Sequence, residues 1–140
     1  MAPRESEHEY FMKLCQVVAS RGTCPRAKVG CVLVKDKRII STGFNGSAST
    51  EGHCEDIGCL IRPNGSHGDS CVRTVHSEAN AIAQAARFGI AVEGSIAYCT
   101  HTPCFRCVKL LKNAGIKKVL FYIPYSDDQN YDLLKELDLL

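Results

Sequence analysis

The chain has 140 residues, the usual size of one domain, and it can bury about two thirds of its unfolded surface without disulfide support. Its 17 basic and 15 acidic residues leave a net charge of +2, which does not favour a nucleic-acid partner. No apolar run approaches the ~20 residues that span a bilayer, and residues 1–9 are too polar for a signal peptide. We therefore expect one domain, residues 1–140, with neither a membrane nor a nucleic acid as its partner.

The first half of the chain predicts a helix followed by a hairpin. Ser6 has the spacing of a helix-capping box, apolar residues follow it at helical intervals, and Gly22 ends the pattern. Residues 29–34 and 38–44 are β-rich runs separated by a polar corner, which predicts an antiparallel pair. Residues 47–75 lack a steady period and predict a long loop, which is uncommon unless the loop is functional or held in place.

The second half alternates between helices and strands. The patterns predict a helix at about 76–88, a strand at 95–100, a helix at 104–114, a strand at 116–123 and a last short helix near 131–137. A strand, helix and strand in succession favour a right-handed crossover, which makes the two strands parallel. We therefore predict an α/β fold, a three-layer α/β/α sandwich around a mixed sheet of about five strands.

The chain contains nine cysteines, a high and odd number. Without a recognisable signal peptide, we expect them to be reduced, in the cytoplasm, with some of them bound to metal. Cys15, Cys31 and Cys99 lie within apolar elements, so we interpret these three as small core residues.

Two stretches combine metal ligands with a proton carrier. Cys104 and Cys107 are three residues apart and share one face of a helix, and His76 supplies a third ligand. Three protein ligands leave the fourth tetrahedral position of a zinc ion open to water, whose pKa falls toward ~7. Glu78 lies about 200° around a helix from His76, so both reach one ion only where a helix begins. We predict that Glu78 carries protons in a zinc-assisted hydrolysis.

The helix that carries the two cysteines is predicted to begin just before them. Thr102 suits an N-cap and Pro103 the first helical position, which puts both thiols in the first turn. Alone, Cys-x-x-Cys is more typical of a structural zinc knuckle or a redox pair, and a single histidine is uninformative. The combination is more specific, because His-x-Glu followed by Pro-Cys-x-x-Cys is the signature of the zinc-dependent nucleobase deaminases.

With these motifs in hand, the chain resembles the deoxycytidylate (dCMP) deaminases of bacteria and phages, within the cytidine deaminase superfamily, over about residues 10–125. The further motifs that carry the resemblance are residues 28–30, 43–46, 72–75 and 113–119. The departures are Ser77, where alanine is usual, and Phe44, where tyrosine is usual. The resemblance implies hydrolysis of dCMP to dUMP and ammonia, which supplies dUMP for thymidylate synthesis.

The resemblance also implies substrate-binding residues. Asn45 would contact the deoxyribose and Tyr125 would face the nucleotide, while Arg26 and Lys28 are our candidates for the phosphate. The competing interpretations are that Asn45 is an ordinary turn residue and that the two basic side chains are solvated surface charges. For His101, between a strand end and the cap, two interpretations stay open: an ordinary loop histidine, which we prefer, and a residue at the mouth of the pocket.

Members of this family often carry a second, structural zinc in the region of the long loop. The resemblance therefore implies a second site, for which our preferred ligands are Cys24, Cys54, His67 and Cys71, with Cys59 and His53 as alternatives. The competing interpretation is a set of reduced, unbound cysteines.

The resemblance implies an assembly and its regulators as well. Enzymes of this family are usually homohexamers, activated by dCTP and inhibited by dTTP, and Mg²⁺ can accompany such a nucleotide effector. Arg87 would then lie near a subunit contact or an effector. Two alternatives stay open: a deaminase of another nucleoside or base, and a catalytically silent, zinc-stabilised nucleotide-binding module.

Overall fold

A computed structural model of the protein describes residues 3–65 and 68–123, together with a strand at residues 137–139. Its helices are α1 (Glu7–Ala19), α2 (Cys54–Ile57), α3 (Ser77–Arg87) and α4 (Phe105–Asn113). Its strands are β1 (Gly30–Lys35), β2 (Arg38–Phe44), β3 (Gly46–Ser47), β4 (Ile61–Pro63), β5 (Asp69–Cys71), β6 (Thr74–Val75), β7 (Ile96–His101), β8 (Lys118–Ile123) and β9 (Leu137–Leu139).

The main sheet has five strands in the order β2, β1, β7, β8 and β9. β1 is antiparallel to both β2 and β7, whereas β7, β8 and β9 run parallel to one another. The predicted hairpin and the predicted parallel crossover are thus both confirmed. Two small antiparallel pairs, β3 with β6 and β4 with β5, lie outside this sheet.

Alternation along β1 divides the core between the two faces of the sheet. Val32 and Val34 point to the face covered by α1, and Cys31 and Leu33 point to the face covered by α3 and α4. The first cluster consists of Phe11, Met12, Cys15, Val32, Val34, Tyr98 and Leu120, and the second of Cys31, Leu33, Ala81, Ala97, Cys99, Leu111 and Val119. The predicted three-layer sandwich is confirmed, and the three cysteines assigned to the core are buried.

Two glycines let helices approach the sheet closely. A Cβ at Gly30 would lie 2.6 Å from the Cys15 carbonyl oxygen of α1, and a Cβ at Gly43 would overlap the Ser77 carbonyl oxygen of α3. Ser41 Oγ also donates a 2.6 Å hydrogen bond to the Ala81 carbonyl, which ties α3 to β2. The start of α3 therefore has a fixed position relative to the sheet.

Two segments differ from the sequence prediction, and a third lies almost entirely outside the described residues. α4 begins at Phe105 with Cys104 as its N-cap, so the predicted cap at Thr102 was wrong by two residues. The reason is that the Thr102 amide instead donates to the Ile123 carbonyl, at 2.9 Å, and prolongs the pairing of β7 with β8. The predicted long loop contains α2 and four short strands.

The predicted helix at 131–137 lies outside the described residues except for Leu137, which begins β9. In the described part of the chain, no helix has the length and apolar character that crossing a bilayer requires.

Candidate active site

Two helix starts bring three metal-binding side chains together at the rim of the sheet. His76 is the N-cap of α3, Cys104 is the N-cap of α4, and Cys107 lies in the first turn of α4. The His76 Nδ1 atom is 3.5 Å from Cys104 Sγ and 3.4 Å from Cys107 Sγ. Ligand atoms of the three residues all lie within 4.8 Å of one another, and both cysteines are buried.

These separations fit a tetrahedral zinc ion. Zinc bonds of ~2.3 Å to sulfur and ~2.0–2.1 Å to nitrogen put a sulfur and a nitrogen ligand about 3.6 Å apart. The two observed distances between nitrogen and sulfur are 3.5 and 3.4 Å, close to this value. The donor set of one imidazole and two thiols is also one that zinc prefers.

Hydrogen bonding within the group favours the charged form of one thiol. A hydrogen bond from Cys107 lowers the pKa of the Cys104 thiol to about 3. The same hydrogen bond raises the pKa of the Cys107 thiol, and a hydrogen bond with Cys104 raises the pKa of His76. One thiolate is therefore already favoured before any cation binds, and a thiolate is the form that ligates metal.

Glu78 lies one residue into α3, beside this group. His76 has the extended conformation of a cap, with φ −64° and ψ 150°, so it does not follow the helical rotation that would separate it from Glu78. Glu78 is only 4% exposed, and this burial raises the pKa of its carboxyl group. A buried carboxyl with a raised pKa exchanges protons near neutral pH more readily than an exposed one, which suits general acid–base chemistry.

A cavity of about 320 Å³ opens onto this group. Its lining includes His76, Glu78, Cys104, Asn45, Arg26 and His101. Two of the metal-binding residues, a proton carrier and several polar side chains thus share one cavity of the size that binds a small molecule. A larger groove of about 710 Å³ lies between β2 and α3, and the lining described for it includes neither Glu78 nor the three metal-binding residues.

Asn45 both lines the cavity and holds a neighbouring segment in place. Its Oδ1 accepts a 2.8 Å hydrogen bond from the Val29 amide, and its Nδ2 donates a 2.7 Å hydrogen bond to the Ala27 carbonyl. A side-chain amide has two acceptor sites and two donor protons, so one of each is left for a ligand. Asn45 therefore holds the backbone of residues 27–29 in place and can still make the predicted contact to a sugar.

The other predicted substrate contacts have different surroundings. Arg26 is exposed and lines the cavity, in agreement with a phosphate contact. Lys28 donates a 2.5 Å hydrogen bond to the Gly22 carbonyl and is not among the residues that line the cavity. Tyr125 lies outside the described residues.

A second cysteine group lies where the sequence suggested a structural site. The sulfur atoms of Cys24, Cys54, Cys59 and Cys71 all lie within 4.8 Å of one another. The Cys54 and Cys71 sulfurs are 3.5 Å apart, and those of Cys24 and Cys59 are 3.7 Å apart, close to the ~3.8 Å edge of a tetrahedral zinc site with four sulfurs.

Three of these four cysteines belong to the preferred set, and the fourth, Cys59, is one of the two alternatives. His67, preferred from the sequence, lies outside the described residues. The other alternative, His53, is the N-cap of α2 and lines the larger groove. Cys24 and Cys71 also line the 320 Å³ cavity, so this second group forms part of its wall.

Comparison with known proteins agrees with this geometry. A family model described as "Cytidine and deoxycytidylate deaminase zinc-binding region" matches residues 5–123. The chain belongs to this family. ComE operon protein 2 of Bacillus subtilis is 44% identical over 87% of this chain and 62% of its own length. The deoxycytidylate deaminase of Mycobacterium phage D29 is 35% identical over 81% of this chain and 91% of its own length.

Solved structures of the family extend the match to nearly the whole chain. The dCMP deaminase of the cyanophage S-TIM5, in complex with dCMP and dUMP, superimposes with a TM-score of 0.77 and 27% identity, covering 99% of this chain and 98% of that one. The chain spans 40% to 62% of the length of three curated relatives that it matches, so those family members are longer proteins.

Proposed function

We propose that this deaminase-family protein hydrolyses dCMP to dUMP and ammonia with a zinc ion held by His76, Cys104 and Cys107. The observation that carries the proposal is the buried Glu78 carboxyl beside a group of three metal-binding side chains, two of which, His76 and Cys104, line the same cavity as Glu78. The deoxycytidylate deaminase names of several relatives, and the dCMP and dUMP bound in the cyanophage structure, support a cytosine nucleotide as the substrate.

The chemistry divides between the cation and this chain. Zinc, when bound, acts as a Lewis acid that makes a neighbouring water more acidic. Glu78 removes a proton from the attacking water and passes it to N3 of the cytosine ring, which prepares C4 for addition. Glu78 then delivers the second proton of that water to the amino group, which leaves as ammonia. The balance is dCMP and water giving dUMP and ammonia.

Substrate binding is assigned to residues around the same cavity. Asn45 binds the deoxyribose through the donor and acceptor that its backbone contacts leave over. Arg26 pairs with the phosphate, supported by its place in the cavity lining. We do not assign Lys28 to the phosphate, because its ammonium group donates a hydrogen bond to the Gly22 carbonyl. We propose instead that Lys28 holds the segment between residues 22 and 28 in place. Tyr125 keeps the role that the family resemblance implies, facing the nucleotide.

The test is a direct assay of the zinc-loaded protein with dCMP, following the loss of cytosine absorbance and the appearance of dUMP. We expect dCMP to be the preferred substrate over deoxycytidine, cytosine and adenosine in tRNA. Faster turnover of deoxycytidine or cytosine than of dCMP would contradict the proposal that the enzyme recognises the substrate's phosphate. Binding of dCTP or dTTP without deamination of any pyrimidine would instead favour a silent nucleotide-binding module.

We propose that Cys24, Cys54, Cys59 and Cys71 hold a second, structural zinc that closes the wall of the cavity. Four sulfur ligands leave no position for water, and the sulfur separations of 3.5 and 3.7 Å support the fit. Metal analysis should find two zinc ions per chain. Cys59→Ala should lose one of them and Cys59→His should keep both, while Cys31→Ala, a core control, should also keep both. A Cys59→Ala protein with two zinc ions would refute this ligand set.

The finer biological setting is also proposed. None of the nine cysteines forms a disulfide, in keeping with the proposed reducing compartment, the cytoplasm. From the family resemblance we propose a homohexamer, activated by dCTP and inhibited by dTTP, with Mg²⁺ accompanying the effector and exposed Arg87 near a subunit contact. Sedimentation with and without dCTP, and rates with each effector, test these points. A monomer insensitive to both nucleotides would contradict them.

A further inference from the structure

His101 is a cavity residue to which the proposed mechanism gives no task. It is the last residue of β7, it is partly buried, and it lines the 320 Å³ cavity with Glu78, Asn45 and Arg26. It is not one of the three residues grouped for metal binding. The sequence favoured an ordinary loop histidine over a residue at the mouth of the pocket, and the structure includes His101 in the lining of the cavity.

The neighbouring Thr100 is in hydrogen-bond contact with one nitrogen of the imidazole. Thr100 is buried, and its Oγ1 accepts a 3.0 Å hydrogen bond from the Gly30 amide. The same Oγ1 atom is 2.8 Å from His101 Nδ1, and the donor of this hydrogen bond depends on the tautomer of the ring. In the tautomer in which the Thr100 hydroxyl donates, Nδ1 carries no proton and the proton of the neutral ring is on Nε2.

The charge of His101 agrees with this assignment. Burial lowers the pKa of His101, so the neutral ring predominates at pH 7. A neutral imidazole presents one N–H donor to its surroundings.

A chain of contacts connects His101 with the proposed sugar site. Thr100 holds the Gly30 amide, and the preceding Val29 amide is held by Asn45. Arg26, three residues earlier in the same segment, carries the one permanent positive charge among the described residues that line the cavity. One arginine does not satisfy all the oxygens of a phosphate dianion, so a second donor from the cavity wall would complete the contact.

We propose that His101 donates a hydrogen bond from Nε2 to the phosphate of the nucleotide substrate, with Thr100 as the positioning residue that holds the ring in this tautomer. The inference rests on the proposed function, since it names a specificity determinant of the same cavity. The hydrogen bond from His101 would let the site distinguish a nucleoside monophosphate from a nucleoside, because a nucleoside has no charged acceptor for the Nε2 proton.

The test compares phosphorylated and unphosphorylated ligands in zinc-loaded His101 variants. His101→Phe keeps an aromatic ring without the donor, and His101→Gln keeps an N–H near the position of Nε2. We expect His101→Phe to weaken dUMP binding and raise the KM for dCMP roughly 10- to 100-fold, as for loss of a hydrogen bond to a charged group. Deoxyuridine binding and deoxycytidine turnover should fall much less than dUMP binding and dCMP turnover, and His101→Gln should recover most of the loss.

The outcomes separate this inference from the proposed function. A wild-type protein that deaminates dCMP, with a His101→Phe variant that weakens nucleotide and nucleoside equally or neither of them, refutes the phosphate contact alone. A wild-type protein that neither binds dUMP nor deaminates dCMP refutes both. Calorimetric titration with dUMP gives an answer for His101 even if turnover is slow.

The role of Thr100 has a readout independent of activity. Nitrogen-15 spectra of the zinc-loaded protein should show His101 protonated on Nε2 and unprotonated on Nδ1. Thr100→Val should mix the tautomers and raise the KM for dCMP, whereas Thr100→Ser, the matched control, should preserve both the spectrum and the KM. A wild-type spectrum with the proton on Nδ1 would overturn the proposed donor.

Discussion

Gly43→Ala tests how strictly the packing of α3 on β2 fixes the active site. A Cβ at Gly43 would overlap the Ser77 carbonyl oxygen and lie 2.5 Å from the Ala81 nitrogen. Both atoms belong to the backbone of α3, so no side chain can swing aside. Restoring an ordinary contact of 3.4 Å at Ala81 requires the helix to withdraw by nearly 1 Å. His76 and Glu78 lie at the start of this helix and would move with it.

Two magnitudes follow from that displacement. Overpacking of this kind costs about 1–3 kcal/mol of unfolding free energy, because the core cannot absorb an added methyl group without strain. A catalytic group misplaced by ~1 Å loses on the order of 10²-fold in rate. We therefore expect Gly43→Ala to fold, to unfold at lower urea concentration, and to deaminate dCMP about a hundred times more slowly.

The assays are urea unfolding and initial rates with the zinc-loaded protein. Gly46→Ala is the matched control, because it adds the same methyl group three residues later, where the nearest atoms are 3.4 Å away. The control should stay within about 0.5 kcal/mol of the wild type. If Gly43→Ala matched the control in both stability and rate, the close approach of α3 to β2 would be incorrect.

Three further predictions follow from other parts of the structure. Glu78→Gln should keep its zinc, by metal analysis, but lose roughly 10²–10⁴-fold in rate, and a variant that kept a tenth of the rate would exclude Glu78 as the essential proton carrier. Leu111→Ala removes a fully buried side chain of α4 and should cost about 2–5 kcal/mol in urea unfolding, so a loss below about 1 kcal/mol would contradict the described core. Burial lowers the pKa of His101 in the folded state. Below the ordinary imidazole pKa of ~6.5, the unfolded chain therefore binds more protons than the folded protein does. The stability of the wild type relative to His101→Phe should therefore be greatest above pH 6.5 and fall as the pH is lowered toward 5.5, and a difference that grew in acid would reverse the assignment.

Much of the fold was predictable because the sequence carries clear periods. The alternating residues of β1 and the helical spacing of α1 and α4 match the two faces of the core. The grouping of His76, Cys104 and Cys107 was also predictable in outline, since spacing and topology put both helix starts at one rim of the sheet.

What the sequence could not provide depends on contacts between distant segments. The start of α4 was misplaced because the Thr102 amide pairs with Ile123, a contact that local pattern does not encode. Cys59 could not be chosen over His67 or His53, because residues 47–75 have no period from which their path follows. The orientation of His101 depends on Thr100 and Gly30, which lie on neighbouring strands and are 70 residues apart.

The most direct test of the account is anomalous diffraction at the zinc absorption edge from crystals of zinc-loaded protein. We predict a peak bonded at ~2.0–2.3 Å to His76 Nδ1, Cys104 Sγ and Cys107 Sγ, with no protein atom in the fourth position and the Glu78 carboxyl facing it. A peak with a fourth side-chain ligand, or no peak between these three residues, would contradict the proposed hydrolytic site.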